Sequence, residues 1–245
     1  MDGDGRGLRS DEAGRPDRHD QGMTTRRRDW PIPTALVLLS VVPMIGGALR
    51  VAELASGAAV TPANERFFAM PVPVLLHIFG ATIFCVLGAF QFAPGLRRRH
   101  PRWHRWAGRL LVLCGLTAAG SGLWMTAFYP HPPIDGPLLI GFRFTFGTAM
   151  FVAVALGLRA ILRRDVRQHR AWMMRGYAIA QGAGTQAVLF GLWAATGNAT
   201  TEVSRALIHA AAWVLNLCIA EWLIRRRPAS RPATRVAPIA VGQAS

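Results

Sequence analysis

Apolar residues in this chain run in long blocks that almost no charge interrupts, and short arginine clusters separate the blocks. A helix on the surface of a soluble core shows a polar face every turn; these blocks do not. Six of them are long enough to read as spans: Ile32–Val51, Val72–Leu96, Trp106–Phe128, Leu138–Leu162, Tyr177–Thr196 and Val203–Ile224. Crossing a hydrocarbon core of about 30 Å takes about 20 helical residues. Backbone groups in lipid must bond to one another, so the spans are helices. The pattern predicts an all-α integral membrane bundle of six transmembrane helices over residues 31–227. Polar, disordered tails are expected at 1–30 and 228–245.

Charge adds orientation. The chain carries 28 basic residues, all arginine, and a formal net charge of +15. A nucleic-acid binder would need a basic face on a soluble domain, and no such domain is visible. Sorted by position, the arginines cluster in alternate loops. Arg97, Arg98, Arg99, Arg102 and Arg105 lie between spans two and three, and Arg163, Arg164, Arg167, Arg170 and Arg175 between spans four and five. Arg26–Arg28 precede span one, and Arg225–Arg227 follow span six. The other loops hold only Arg66 and Arg205. An even number of spans puts all these clusters on one side. The positive-inside rule makes that side cytoplasmic, with both termini in the cytoplasm of a cell (inner) membrane protein. The expected partners are the bilayer and, at the basic loops, anionic lipid headgroups. Cys85, Cys114 and Cys218 lie inside apolar blocks without metal-site spacing and read as core residues.

The two basic loops share a motif. Arg98-Arg99-x-x-Arg102-x-His104-Arg105 repeats 65 positions later as Arg163-Arg164-x-x-Arg167-x-His169-Arg170. Either arginine-rich loops match by chance, or two hairpins are related by an internal repeat. On either reading His104 and His169 stand at helix starts at the cytoplasmic interface.

Ionisable groups inside a span are costly and mark function by default. His77 lies in span two, about 9 Å from its outer end at 1.5 Å rise per residue. His209 lies at a similar depth in span six, Arg143 near the outer end of span four, and Glu221 near the inner end of span six. Helical spacing puts His77, Phe84, Gly88 and Gln91 on one face, and His209, Trp213, Asn216 and Ala220 on another. Gly108, Gly115 and Gly122 form a stripe that permits close helix contact. Two neutral imidazoles at equal depth can ligate one haem iron from opposite sides. His77 with His209 is the outer candidate pair for haem b, His104 with His169 the inner one. Arg143 is placed to neutralise a propionate. No CxxCH exists, so covalent haem is excluded. A divalent metal, a quinone site, or a structural role for the histidines is the alternative. His131, in Tyr129-Pro130-His131-Pro132-Pro133, reads as a solvated loop residue, and His100 as one more charge in a basic loop.

These residues resemble a known family. The stretch Leu76–Leu189 contains His77-Ile78-x-Gly80, Gly88-x-x-Gln91-Phe92, Arg97-x-Arg99-x-Pro101-x-x-His104-Arg105-x-x-Gly108-Arg109 and Arg163-Arg164-Asp165-x-x-x-His169-Arg170-x-Trp172-Met173-x-Arg175-x-Tyr177. It is similar to the bacterial multi-pass membrane family called domain of unknown function 2306 (DUF2306). One position departs from the family pattern, where Leu111 stands in place of a tyrosine. The resemblance implies a membrane protein and supplies no activity. The residues themselves raise two expectations. One is a b-type haem protein that moves electrons within the membrane, with a redox partner or quinone. The other has no redox cofactor: a small transporter or channel lined by Gln91, Gln181, Gln186 and Asn216, or an accessory subunit of a larger complex.

Overall fold

The computed structural model describes residues 30–226, all helix and connecting turn with no strand among them. Apart from Trp30, the two tails lie outside the described residues. The helices are α1 (Pro31–Ser56), α2 (Glu65–Ala69), α3 (Pro71–Phe90), α4 (Pro94–Arg99), α5 (Pro101–Phe128), α6 (Pro137–Leu162), α7 (Val166–Ala180), α8 (Gly182–Ala195) and α9 (Glu202–Arg225). Local sequence sets many of the starts. Proline opens α1, α3, α4, α5 and α6, where its fixed φ suits the first turn and its missing N–H goes unused. Asp165 caps α7 by accepting from the Gln168 N–H at 2.9 Å. Thr201 and Ser204 form a reciprocal capping box at α9.

Five helices, α1, α3, α5, α6 and α9, are long and apolar enough to cross a membrane. The sequence predicted six. The missing span is the block Tyr177–Thr196, which is not one helix: α7 ends at Ala180, Gln181 intervenes, and α8 begins at Gly182. The break has identifiable causes. Gly182 and Gly184 weaken the helix, and neighbours press on both. A Cβ at Gly182 would stand 2.4 Å from the Trp213 ring, and one at Gly184 2.1 Å from the Leu39 carbonyl oxygen. Gln181 is buried, donating to the Tyr177 hydroxyl at 2.8 Å and accepting from Ser40 Oγ at 3.2 Å. Those bonds satisfy a polar group that lipid would leave unpaired.

Helix α3 packs against α1, α5 and α7, while α6 packs against α5, α7 and α9. Phe84 and Gly88 of α3 face inward, as their helical spacing predicts. Phe84 is 1% exposed and fills the space beside Gly115 of α5. Gly88 lies under the ring of Tyr177, whose hydroxyl donates to the Cys85 carbonyl at 2.7 Å. The glycine stripe of α5 is therefore an internal surface at Gly115 and at Gly122, which faces His77. Helix α1 lies on the outside of the bundle, held to α3 and α8 and hydrogen-bonded through Ser40.

The two ends of the bundle are chemically unlike. One gathers α2, the α5–α6 loop and the start of α9: Arg66 reaches the Pro130 carbonyl, Tyr129 reaches that of Met70, and Arg205 reaches Asp135. We call this the cavity end. The other, the basic end, holds α4, the α6–α7 turn and the end of α9, including the Arg175–Glu221 ion pair.

Candidate functional site

A cavity of about 420 Å³ opens among α3, α5, α6, α8 and α9 at the cavity end. Small side chains make the room: Ala81, Ala118, Ala119, Gly122, Gly147 and Ala183 all line it. A Cβ at Gly122 would come within 3.2 Å of the His77 ring, and one at Gly147 within 2.9 Å of Leu123. The volume falls within the range of about 300–1,000 Å³ usual for small-molecule sites.

His77 and His209 both line this cavity, as does Arg143. The His77 Nδ1 lies 2.9 Å from the Ala118 carbonyl of α5, and the His209 Nδ1 2.8 Å from the Arg205 carbonyl one turn back in α9. A carbonyl oxygen has no proton to give, so Nδ1 is the donor in each ring. In a neutral imidazole that leaves Nε2 as the basic nitrogen. A hydrogen bond of this type from the other ring nitrogen fixes tautomer and ring orientation in metal-ligating histidines. The aromatic surround is also ordered. Phe190 meets His209 edge-on at 5.2 Å between centroids, and Trp213 stacks on Phe146 at 4.8 Å.

The rim is strongly charged. Asp135 is almost fully buried and divides its carboxylate between two arginines: Oδ2 takes Arg143 at 2.8 Å, and Oδ1 takes Arg205 at 2.7 Å. Burial alone would raise the Asp135 pKa. The two guanidinium groups outweigh it and hold the carboxyl below its usual range. Arg143 thus arrives already paired, an arrangement the sequence did not announce. Two further lining residues, Arg66 and His131, carry no site signal in the sequence, whereas Gln186 is one of the polar lining residues it singles out. Arg66 donates to the Pro130 carbonyl and covers the face of Phe67. His131 is half-buried rather than solvated, and its Nε2 has no hydrogen-bond partner; the same holds for the Gln186 amide nitrogen. The available signal was electrostatic: arginines placed inside spans need a counter-charge, and Asp135 is the acid of the neighbouring loop.

At the basic end, the repeated motif has a structural counterpart. His104 and His169 each occupy the fourth residue of their helices, α5 and α7, and each backbone N–H bonds the N-cap carbonyl, of His100 and Asp165 respectively. His104 lies within electrostatic range of Arg97, His169 and Arg105. The side chains behave differently. His169 Nδ1 lies 2.8 Å from the Gly157 carbonyl of α6, whereas His104 Nδ1 is buried without a partner. The approach roads differ too: α4 precedes the first motif helix, whereas the α6–α7 turn passes through Arg164 at φ 62°, uncommon for a non-glycine residue. The cavity does not extend to this pair. Glu221, the remaining ionisable residue singled out in a span, is paired with Arg175 at 2.5 Å. No group of three or more His, Cys, Asp or Glu is arranged to hold a metal ion among the described residues.

A family model described as "Predicted membrane protein (DUF2306)" matches residues 74–224, more than half of the chain. The match begins within α3, leaving α1 and Arg66 outside it, and takes in His77, His104, Arg143, His169 and His209. Neither curated proteins nor solved structures yield a match to the chain.

Proposed function

This chain belongs to the DUF2306 family of predicted membrane proteins, and on that premise we propose that it is a b-type haem protein of the cytoplasmic membrane, carrying one-electron equivalents to a redox partner or quinone. The observation that carries this reading is the cavity: two histidines from different helices line it, and each has its Nδ1 proton engaged by a backbone carbonyl. His77 and His209 would hold the haem iron, and the wall of alanines and glycines would leave room beside them. Bound haem supplies reversible one-electron chemistry, tuned by its ligands and by burial. The protein's part is to fix the imidazoles, exclude water and balance charge at the rim. His104 and His169 would form a second ligand pair at the basic end, supported by their equivalent helix positions in the repeated motif.

In the membrane, the five long helices and the broken pair α7–α8 together make six crossings in this proposal. Both termini and the basic end then face the cytoplasm. Labelling of single cysteines introduced at Arg164 and Gly197 tests this, with Gly197 reachable only from outside.

The transport reading has less support. Two residues that would line its route are engaged elsewhere: Gln181 bonds Tyr177 and Ser40, and Asn216 bonds Thr185 and the Ala178 carbonyl. The test of the haem reading is the absorption spectrum of the full chain purified with haem supplied, oxidised and dithionite-reduced. A Soret band and a reduced α-band are expected; their absence from well-folded protein would reject haem binding.

A further inference from the structure

The mouth of the cavity carries more positive charge than its own acid can balance. Asp135 binds Arg143 through one oxygen and Arg205 through the other, and acts on Arg66 through space. Arg66 has a backbone carbonyl and an aromatic face as its partners. Burial lowers its pKa, with Arg50 and Arg143 acting in the same direction and Asp135 opposing them. A guanidinium under that pressure gains from an added anion. Next to Pro130, which Arg66 binds, the buried Nε2 of His131 lines the same cavity without a partner; so does the buried amide nitrogen of Gln186, one helical turn from the Gly182 that abuts Trp213. Unpaired buried polar nitrogens of this sort are rare in native structures; with its proton on Nε2, His131 is a donor that lacks an acceptor. Below them the wall is apolar, with Leu123, Met150, Ile179 and Trp213.

We propose that this mouth is a carboxylate subsite, in which Arg66 and His131 receive the anionic end of an amphiphilic ligand whose apolar body lies in the cavity below. The inference rests on reading the cavity as a ligand site, but not on that ligand being haem. The carboxylate comes from a haem propionate or from a free organic acid, and the experiment separates the two.

Full-length protein is purified in detergent without haem and titrated with haemin, with haemin dimethyl ester and with hexanoate. Haemin and its ester differ only in whether the carboxylates are free. Wild type is expected to bind haemin about 10- to 100-fold more tightly than the ester, the range of a charge-assisted hydrogen bond. Arg66→Gln should erase that preference while leaving ester binding unchanged, and His131→Ala should erase part of it. The wild-type comparison needs no variant, so a poorly folding mutant does not weaken the test. If neither porphyrin binds but hexanoate raises the thermal stability of wild type and not of Arg66→Gln, the subsite stands with a free acid as its source, and the haem reading falls. Equal affinity for haemin and ester would overturn the proposal. So would an equal loss of both in Arg66→Gln, or no response to any of the three probes.

Discussion

The cavity end and the basic end both gather arginines and histidines, yet they use them in opposite ways. At the cavity end charge is folded inward. One carboxylate, Asp135, clamps arginines from α6 and α9 and is itself 6% exposed. Two of the three histidines there, His77 and His209, are each fixed to a carbonyl around one cavity. At the basic end the Arg225 side chain is 81% exposed, and the Glu221–Arg175 pair keeps about a third of each side chain open. Its histidines are related by sequence and helix position but not by hydrogen bonding, since only His169 reaches a carbonyl. The difference teaches that the same residue types serve the bundle where they are enclosed and serve orientation where they are not.

The largest effect expected from this contrast is at Asp135. Asp135→Ala removes a buried carboxylate and leaves its two arginines, each with under a third of its side chain exposed, without their shared partner. Removing one partner from a buried ion pair costs about 3 kcal/mol or more, measured as unfolding free energy in detergent. Its pH dependence sharpens the point. The folded Asp135 pKa is depressed, so its stabilisation is fully present above the unfolded carboxyl pKa of about 3.9. It is lost as pH falls through the lower folded value. The stability gap between wild type and Asp135→Asn should therefore be flat from about pH 5 upward and shrink below about pH 4.

Next come the glycines that let helices meet. A Cβ at Gly88 would lie 2.6 Å from the Tyr177 ring, so Gly88→Ala should destabilise the protein by about 1–3 kcal/mol and leave ligand binding in the cavity intact. At Gly122 the new methyl would meet His77 at 3.2 Å. There the expected change is a shifted spectrum of the bound ligand with little loss of stability. The smallest effect belongs to the basic end: Glu221→Ala should cost about 0–1 kcal/mol and less at high salt, as for exposed pairs. A loss at Glu221 as large as at Asp135 would erase the distinction between the ends.

Much of the architecture was legible in the sequence because lipid imposes long apolar blocks, and those blocks gave five helices close to their observed limits. The break at Gln181 was not legible, because hydropathy reports environment and not helical continuity. Its causes come from other helices, Trp213 against Gly182 and Leu39 against Gly184. The same limit applies to the site. Periodicity put His77 and His209 on inward faces, since a costly polar group in a span must turn inward. It said nothing of Arg66, His131 and Asp135, which lie in connecting segments. Asp135 and Arg205 stand 70 positions apart and meet only because α6 and α9 pack together.

The central claim is that the cavity end holds a ligand between His77 and His209. Its most direct test is the haem content per chain of His77→Ala, His209→Ala and His104→Ala, each loaded with haem under identical conditions. The account predicts that His77→Ala and His209→Ala each lose the same haem, while His104→Ala keeps it. Retention of the full wild-type haem content by both cavity variants would contradict it.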